Sequence, residues 1–129
     1  MSQTLKDSVR WFFLEVFNKG NFVPIDDLIG DNYTFNGQAQ TGDQIKQWVT
    51  YLRSALEGLT FSVNDLLQDG NQVAIRWTLV GTEATTKVLM TNTGTNILTF
   101  VDGKAVSNWQ NGGTPADLHP AQQSVPAAA

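Results

Sequence analysis

The 129-residue chain has no cysteine and a single histidine, His119, which sits in a proline- and alanine-rich stretch. The first absence excludes a disulfide framework, a thiolate nucleophile and a cysteine-based metal site. The second excludes, within one chain, a histidine-dependent triad and any metal site that needs two histidines. No metal ion and no cofactor are expected. Charge is also sparse: 16% of residues are charged, the net charge is −4, and the eight Lys and Arg are scattered. A surface that tracks a nucleic-acid backbone needs clustered basic residues, so no nucleic-acid partner is expected. No apolar run approaches the roughly 18 residues of a membrane span. The opening MSQTLKDSVRW has neither the basic start nor the continuous apolar run of a signal peptide. The expectation is a cytoplasmic protein with no membrane partner.

Amides are what the chain has in quantity. Ten Asn and ten Gln stand against twelve Asp and Glu, so much of the polar chemistry rests on neutral side chains. Seven Phe, four Trp and two Tyr are ample for a packed interior. The length suits one domain with one core.

Apolar periodicity predicts a helix over residues 4 to 19, with Leu5, Val9, Phe12, Phe13, Val16 and Phe17 on one face and Gly20 as its stop. Asn21 suits the N-cap of a short helix over 22 to 29, with Pro24 in its first turn and Gly30 closing it. Asn32 to Asn36 reads as a strand. After the polar GQAQTGD, Thr41 and Gln44 form a capping box for a third helix that runs to Glu57, with Gly58 as its end. Its expected buried stripe is Ile45, Trp48, Val49, Leu52 and Leu56.

From Thr60 the period changes to two. Phe61, Val63 and Leu67 share a parity in the first long strand, and Asp69-Gly70-Asn71 is a tight turn. Val73, Ile75, Trp77 and Leu79 alternate with polar or small residues in the next. In Lys87 to Phe100, Thr91, Thr93, Thr95, Ile97 and Thr99 line one face, and Asn92, Gly94, Asn96, Leu98 and Phe100 the other. Asp102-Gly103 turns into a last strand, Ala105 to Gln110. Residues 1–111 are thus expected to be one domain, and 112–129 a flexible tail rich in Pro and Ala. Helices first and hairpin-linked strands afterwards give an α+β fold.

Phe17 to Ile29 (FNKGNF-x-x-IDDLI), Tyr33-x-Phe35-x-Gly37 and Gln44-Ile45-Lys46 to Leu52-Arg53 form an ordered set of segments. Phe61-x-Val63-x-Asp65-Leu66, Arg76-Trp77, Gly81-Thr82 and Asp102-Gly103-Lys104 with Trp109 continue it. In this order and spacing the chain resembles the SnoaL-like polyketide cyclase family, within the nuclear transport factor 2-like superfamily. The resemblance implies a cone in which three N-terminal helices pack on a curved, mostly antiparallel sheet. It also implies a deep apolar pocket for a small apolar or ring-shaped molecule. In the family's cyclases the pocket acid/base is usually an Asp after the Trp of the last strand, in a His-Trp-Asp pattern. A second polar residue lies on the preceding long strand, and many members carry a His after the Phe of the first strand.

This chain reads Asn108-Trp109-Gln110 in the last strand, Asn96 on the long strand and Asn36 after Phe35. An amide does not titrate near neutral pH, so Gln110 cannot take a proton from a substrate. It can hold or polarise a carbonyl. The ligand-lining candidates are Asn36, Trp48, Leu52, Trp77, Asn96, Asn108 and Gln110. The amides could equally be solvent-facing strand residues, and aromatics at the spacing of Trp48 and Trp77 usually pack in a core. Tyr33 and Tyr51 have a polar tip that could reach a ligand or bond within the fold.

Asp65 shares parity with Phe61 and Val63, which would turn it inward as an acid/base partnered by a tyrosine. A bulge that brings Leu66 inward would instead turn it outward. Arg53 and Arg76 could join an Asp-Arg-Asp arrangement like that of the epoxide hydrolases on this fold, although no second inward carboxylate is evident. The threonine face at 91 to 99 suits either solvent or a homodimer contact, as often in the superfamily. Three functions therefore stand: a small-molecule-binding protein of cyclase or isomerase descent, a non-catalytic dimeric association module, and a hydrolase or isomerase built on Asp65.

Overall fold

The computed structural model describes residues 4–121. Helix α1 (Leu5–Lys19) begins where the Thr4 hydroxyl accepts from the Asp7 amide, and ends at Gly20 in the left-handed conformation, φ 67°. Helix α2 (Val23–Leu28) carries Pro24 in its first turn, and the Asn21 side chain accepts from the Val23 amide. It does not stop at Gly30. The chain passes directly into strand β1 (Ile29–Phe35), and Gly30 lies inside that strand. A Cβ there would come within 3.1 Å of the Ala105 carbonyl, so close approach of two strands, not helix termination, is what glycine serves.

A turn through Asn36 and Gly37, both at positive φ, leads to the two-residue β2 (Gln38–Ala39). Helix α3 (Gly42–Ala55) starts on the expected capping box: the Gln44 amide donates to Thr41 Oγ1 at 3.1 Å, and the Thr41 amide to Gln44 Oε1 at 2.9 Å. It too runs straight into a strand, β3 (Leu56–Asp69). Gly58, at φ +65°, makes a kink within β3 and does not end the helix.

Strands β4 (Gln72–Glu83), β5 (Leu89–Val101) and β6 (Lys104–Gly112) follow as an antiparallel meander. The Asp102–Gly103 turn, φ 50° and 78°, has the double positive φ that a two-residue hairpin favours. The strand order is β2-β1-β6-β5-β4-β3, with β1 parallel to β6.

Alternation sorts the sheet. Val73, Ile75, Trp77 and Leu79 of β4 and Asn92, Asn96, Leu98 and Phe100 of β5 face inward and are buried. Against them α1 lays Val9, Phe12, Phe13 and Val16. Phe13, Phe17, Phe61 and Trp77 stack in series at centroid distances of 5.0 to 5.8 Å. Such pairs add about 0.5–1.5 kcal/mol each beyond burial. Two polar ties hold the helices to this stack. Asn18 accepts from the Phe61 amide at 2.6 Å and donates to its carbonyl at 3.1 Å, and Arg53 donates to the Phe17 carbonyl at 2.6 Å.

The parity expected for β3 breaks at a register shift between Val63 and Asp65. Beyond it Leu66 is buried, whereas Leu67 is 68% exposed and leaves the core parity it was expected to share with Phe61. Asp65 turns outward and pairs with Arg76 on the outer face. Trp48, expected in the buried stripe of α3, is 39% exposed and stacks on Tyr51.

The segment after β6 is not a free tail as far as residue 121. Gly112 and Gly113 reverse the chain at φ 71° and 69°. A single 3-10 turn follows (Pro115–Asp117), and strand β7 (His119–Pro120) pairs with Met90 and Thr91 of β5. The turn is capped by Thr114 and Asp117, and the hydroxyl and amide of Thr114 hold the Asp117 carboxyl below its ordinary range. Leu118 packs against the core. The rest of the expected tail, 122–129, lies outside the described residues.

Candidate functional site

Between α1, α3 and the inner sheet face is a cavity of about 320 Å³. A second of about 150 Å³ shares Phe13, Phe17, Trp48, Gln110, Gly113 and Pro115 with it, so the two are adjoining lobes. The wall of the larger lobe is mostly apolar: Val9, Phe12, Phe13, Ile45, Leu98 and Phe100, among others. Its polar side chains are Tyr33, Asn36, Gln40, Asn96, Asn108, Gln110 and Thr114. Among the described residues, no Asp, Glu, Lys, Arg or His lines it. The smaller lobe has one carboxylate, Glu83, which accepts from the Thr86 hydroxyl.

All seven residues singled out from the sequence lie on these walls. Asn36, Asn96 and Asn108 line the larger lobe, Leu52 and Trp77 the smaller, and Trp48 and Gln110 both. Three strands bring the amides together. Asn96 of β5 faces Gln110 of β6 in register, with Asn108 one inward position away. Asn36 reaches them because its backbone N–H donates to the Asn108 carbonyl at 2.9 Å while its side chain accepts from the Gln110 amide at 2.7 Å.

The amides are bonded to one another. The Trp77 indole N–H donates to Asn96 Oδ1 at 2.7 Å. Asn96 Nδ2 donates to Asn108 Oδ1 at 2.9 Å and to Gln110 Oε1 at 3.2 Å. Gln110 Nε2 donates to the Gly112 carbonyl at 3.0 Å. Asn96 is only 1% exposed, a depth at which an unpaired amide would be costly. Among the described residues no buried side-chain nitrogen or oxygen lacks a partner. Trp77 reaches Asn96 because β5 offers no side chain in its way. A Cβ at Gly94, its register partner, would stand 2.4 Å from the indole, and one at Gly113 equally close.

Tyr33 of β1 completes the polar end and received no firm role from the sequence. It is buried, with the Asn108 side chain near its hydroxyl. Burial pushes its pKa up to about 12, with the Asn108 hydrogen bond opposing. It is therefore a neutral phenol at any ordinary pH. The inward parity of Tyr33 and Phe35 was its only sequence signal. Gln40, Gly113, Thr114, Pro115 and Leu118 also line the lobes and were not anticipated. Asn92 Nδ2 donates to the Thr114 carbonyl at 3.0 Å, which anchors the returning segment across the cavity. The isolated apolar Leu118 between Asp117 and His119 was the available clue.

Two acid/base possibilities drop out, and the one histidine is also away from the cavity. Asp65 and Arg76 pair with each other outside, more than half exposed, and line neither lobe. Arg53 is committed to the Phe17 carbonyl, so no Asp-Arg-Asp array forms. His119 lies in β7, exposed, and lines neither lobe. No cluster of three metal-ligating side chains occurs among the described residues, and no helix there is long and apolar enough to cross a membrane.

A family model described as a SnoaL-like domain matches residues 9–108. No curated protein sequence matches the chain. Among solved structures, it is similar to a SnoaL-like polyketide cyclase from Agrobacterium tumefaciens, with a TM-score of 0.74 or better: 0.76 at 17% identity, covering 90% of this chain and 95% of that one. It is also similar to TsrD from Streptomyces laurentii, with a TM-score of 0.74 and 18% identity over 86% of this chain and 92% of that one. At these identities the likeness is one of fold.

Proposed function

Starting from a chain that belongs to the SnoaL-like domain family, we propose that it binds a small, apolar, ring-shaped molecule inside the cone, without the acid/base chemistry of the family's cyclases. The observation that carries this reading is the larger lobe: about 320 Å³, apolar-walled, and ending in bonded amides with no ionisable carboxylate among the described residues that line it. Ligand sites are concave and mostly apolar, with a few placed polar groups. Gln110 has the position for a polar contact and lacks the proton chemistry for general base catalysis. Any turnover would rest on holding and polarising a carbonyl.

A thermal-shift and calorimetric screen with polycyclic and steroid-like compounds tests the reading. Stabilisation by such compounds, weakened by Gln110→Leu, is expected. A panel that leaves the melting temperature untouched overturns it. This reading also places the protein in the cytoplasm, which cell fractionation tests.

One observation favours a second property. Leu67, Ala74, Ile97 and Trp109 stand in register across β3, β4, β5 and β6 on the outer face. Leu67, Ile97 and Trp109 are 68%, 45% and 54% exposed. This row of apolar side chains supports a homodimer formed sheet to sheet, either beside ligand binding or, in the rival association-module reading, instead of it.

A further inference from the structure

Of the side chains in the polar cluster, Trp77 alone can only donate. An indole N–H has no acceptor role, whereas an amide can present either end and a phenol can do both. That one-sidedness propagates. Because the indole donates to Asn96 Oδ1 at 2.7 Å, the Asn96 amide cannot turn over without setting two donors face to face in a buried site. Its Nδ2 must then face Asn108 and Gln110, and both of its N–H bonds are used on their oxygens. Those two amides, approached on oxygen, turn their NH2 groups away. Gln110 gives Nε2 to the Gly112 carbonyl, and Asn108, its oxygen taken by Asn96, is left with its NH2 for the larger lobe, which Asn108 lines.

We infer that Trp77, acting through Asn96, polarises the end of the cavity into a donor surface headed by the Asn108 NH2. The site therefore selects a neutral ring molecule that presents a carbonyl-type acceptor and rejects one of the same shape that presents an N–H. Trp77 is a positioning residue, and the Asn108 NH2 is the group that meets the ligand. The inference rests on the ligand-binding reading above and adds the sign of the hydrogen bond to it.

Three flat tricycles of nearly one outline supply the test. 9-Fluorenone only accepts a hydrogen bond, fluorene does neither, and carbazole only donates. Calorimetry on the wild-type protein is expected to rank fluorenone roughly tenfold tighter than fluorene, the scale of one hydrogen bond to a buried donor, with carbazole no tighter than fluorene. Asn108→Asp, nearly isosteric, keeps an oxygen for Asn96 but loses the NH2, and should bring fluorenone down to the level of fluorene or below. Trp77→Phe should shrink the fluorenone-to-carbazole ratio by releasing the amides to turn over, a change that a packing defect alone would not make. Equal binding of all three by the wild type, or a preference for carbazole, overturns the polarity and leaves the pocket reading standing. An unchanged ratio in a folded Trp77→Phe overturns the role of Trp77. If that variant fails to fold, the wild-type ranking and Asn108→Asp still decide the polarity. No binding of any tricycle by the wild type overturns both readings.

Discussion

Asn36 and Gln110, 74 residues apart in sequence, are joined by a 2.7 Å hydrogen bond from the Gln110 amide to the Asn36 side chain. Asn36 holds φ +50° to make it, a conformation that asparagine tolerates and most residues do not. The bond sews the turn after β1 onto β6 at the mouth of the cavity. Asn36→Ala loses both the bond and the tolerance, and should cost about 1–2 kcal/mol in urea unfolding. Asn36→Gly keeps the tolerance and should cost less. Equal losses in the two variants would show that the backbone angle contributes nothing.

Gly94 is where β5 makes room for Trp77. With a methyl 2.4 Å from the indole, Gly94→Ala must push Trp77 off its bond to Asn96. A destabilisation of about 1–3 kcal/mol is expected, as for other overpacked cores. Near-UV circular dichroism should report the displaced indole, and an unaltered spectrum would contradict this packing.

Tyr33 predicts a pH effect of definite sign. Its folded pKa is raised from the ordinary 10.0 to about 12. Below pH 10 the phenol is neutral in both states and its contribution is fully present. Between pH 10 and 12 the unfolded chain ionises first, so stability falls as pH rises. The two-unit gap corresponds to about 2–3 kcal/mol. Wild type minus Tyr33→Phe, measured by urea unfolding from pH 9 to 12, should fall by that amount. A flat difference would mean that the phenol is not shielded.

The outer face predicts an assembly effect. Ile97→Lys puts a charge in the middle of the row formed with Leu67, Ala74 and Trp109. Sedimentation velocity should show a wild-type dimer and a folded, monomeric variant. A wild-type monomer at high concentration rules out the sheet-to-sheet contact.

Local chemistry was readable in the sequence. The Thr41–Gln44 box, the Gly20 stop, the Asp102–Gly103 turn and the inward alternation of β4 and β5 each depend on residues close in the chain. The resemblance also put Asn36, Asn96 and Gln110 among the candidate lining residues, and all three line the larger lobe. What escaped depends on distant partners. Gly30 and Gly58 look like helix stops, but the reasons for them lie in the Ala105 carbonyl and a strand kink. The bond between Trp77 and Asn96 runs diagonally between strands, past a glycine, and no period announces it. β7 is two residues long and ends in proline, too short to carry any alternation.

The parallel pairing of β1 with β6 also has a consequence in time. Neighbouring hairpins can assemble β3 to β6 from contacts near in sequence, whereas Phe35 meets Asn108 only by closing a loop across most of the chain. Loop closure of that span is slow relative to hairpin formation. On a ribosome it must also wait until β6 has emerged. Tyr33 and Asn36 are therefore expected to join last, on a meander that already carries Trp77, Asn96, Asn108 and Gln110.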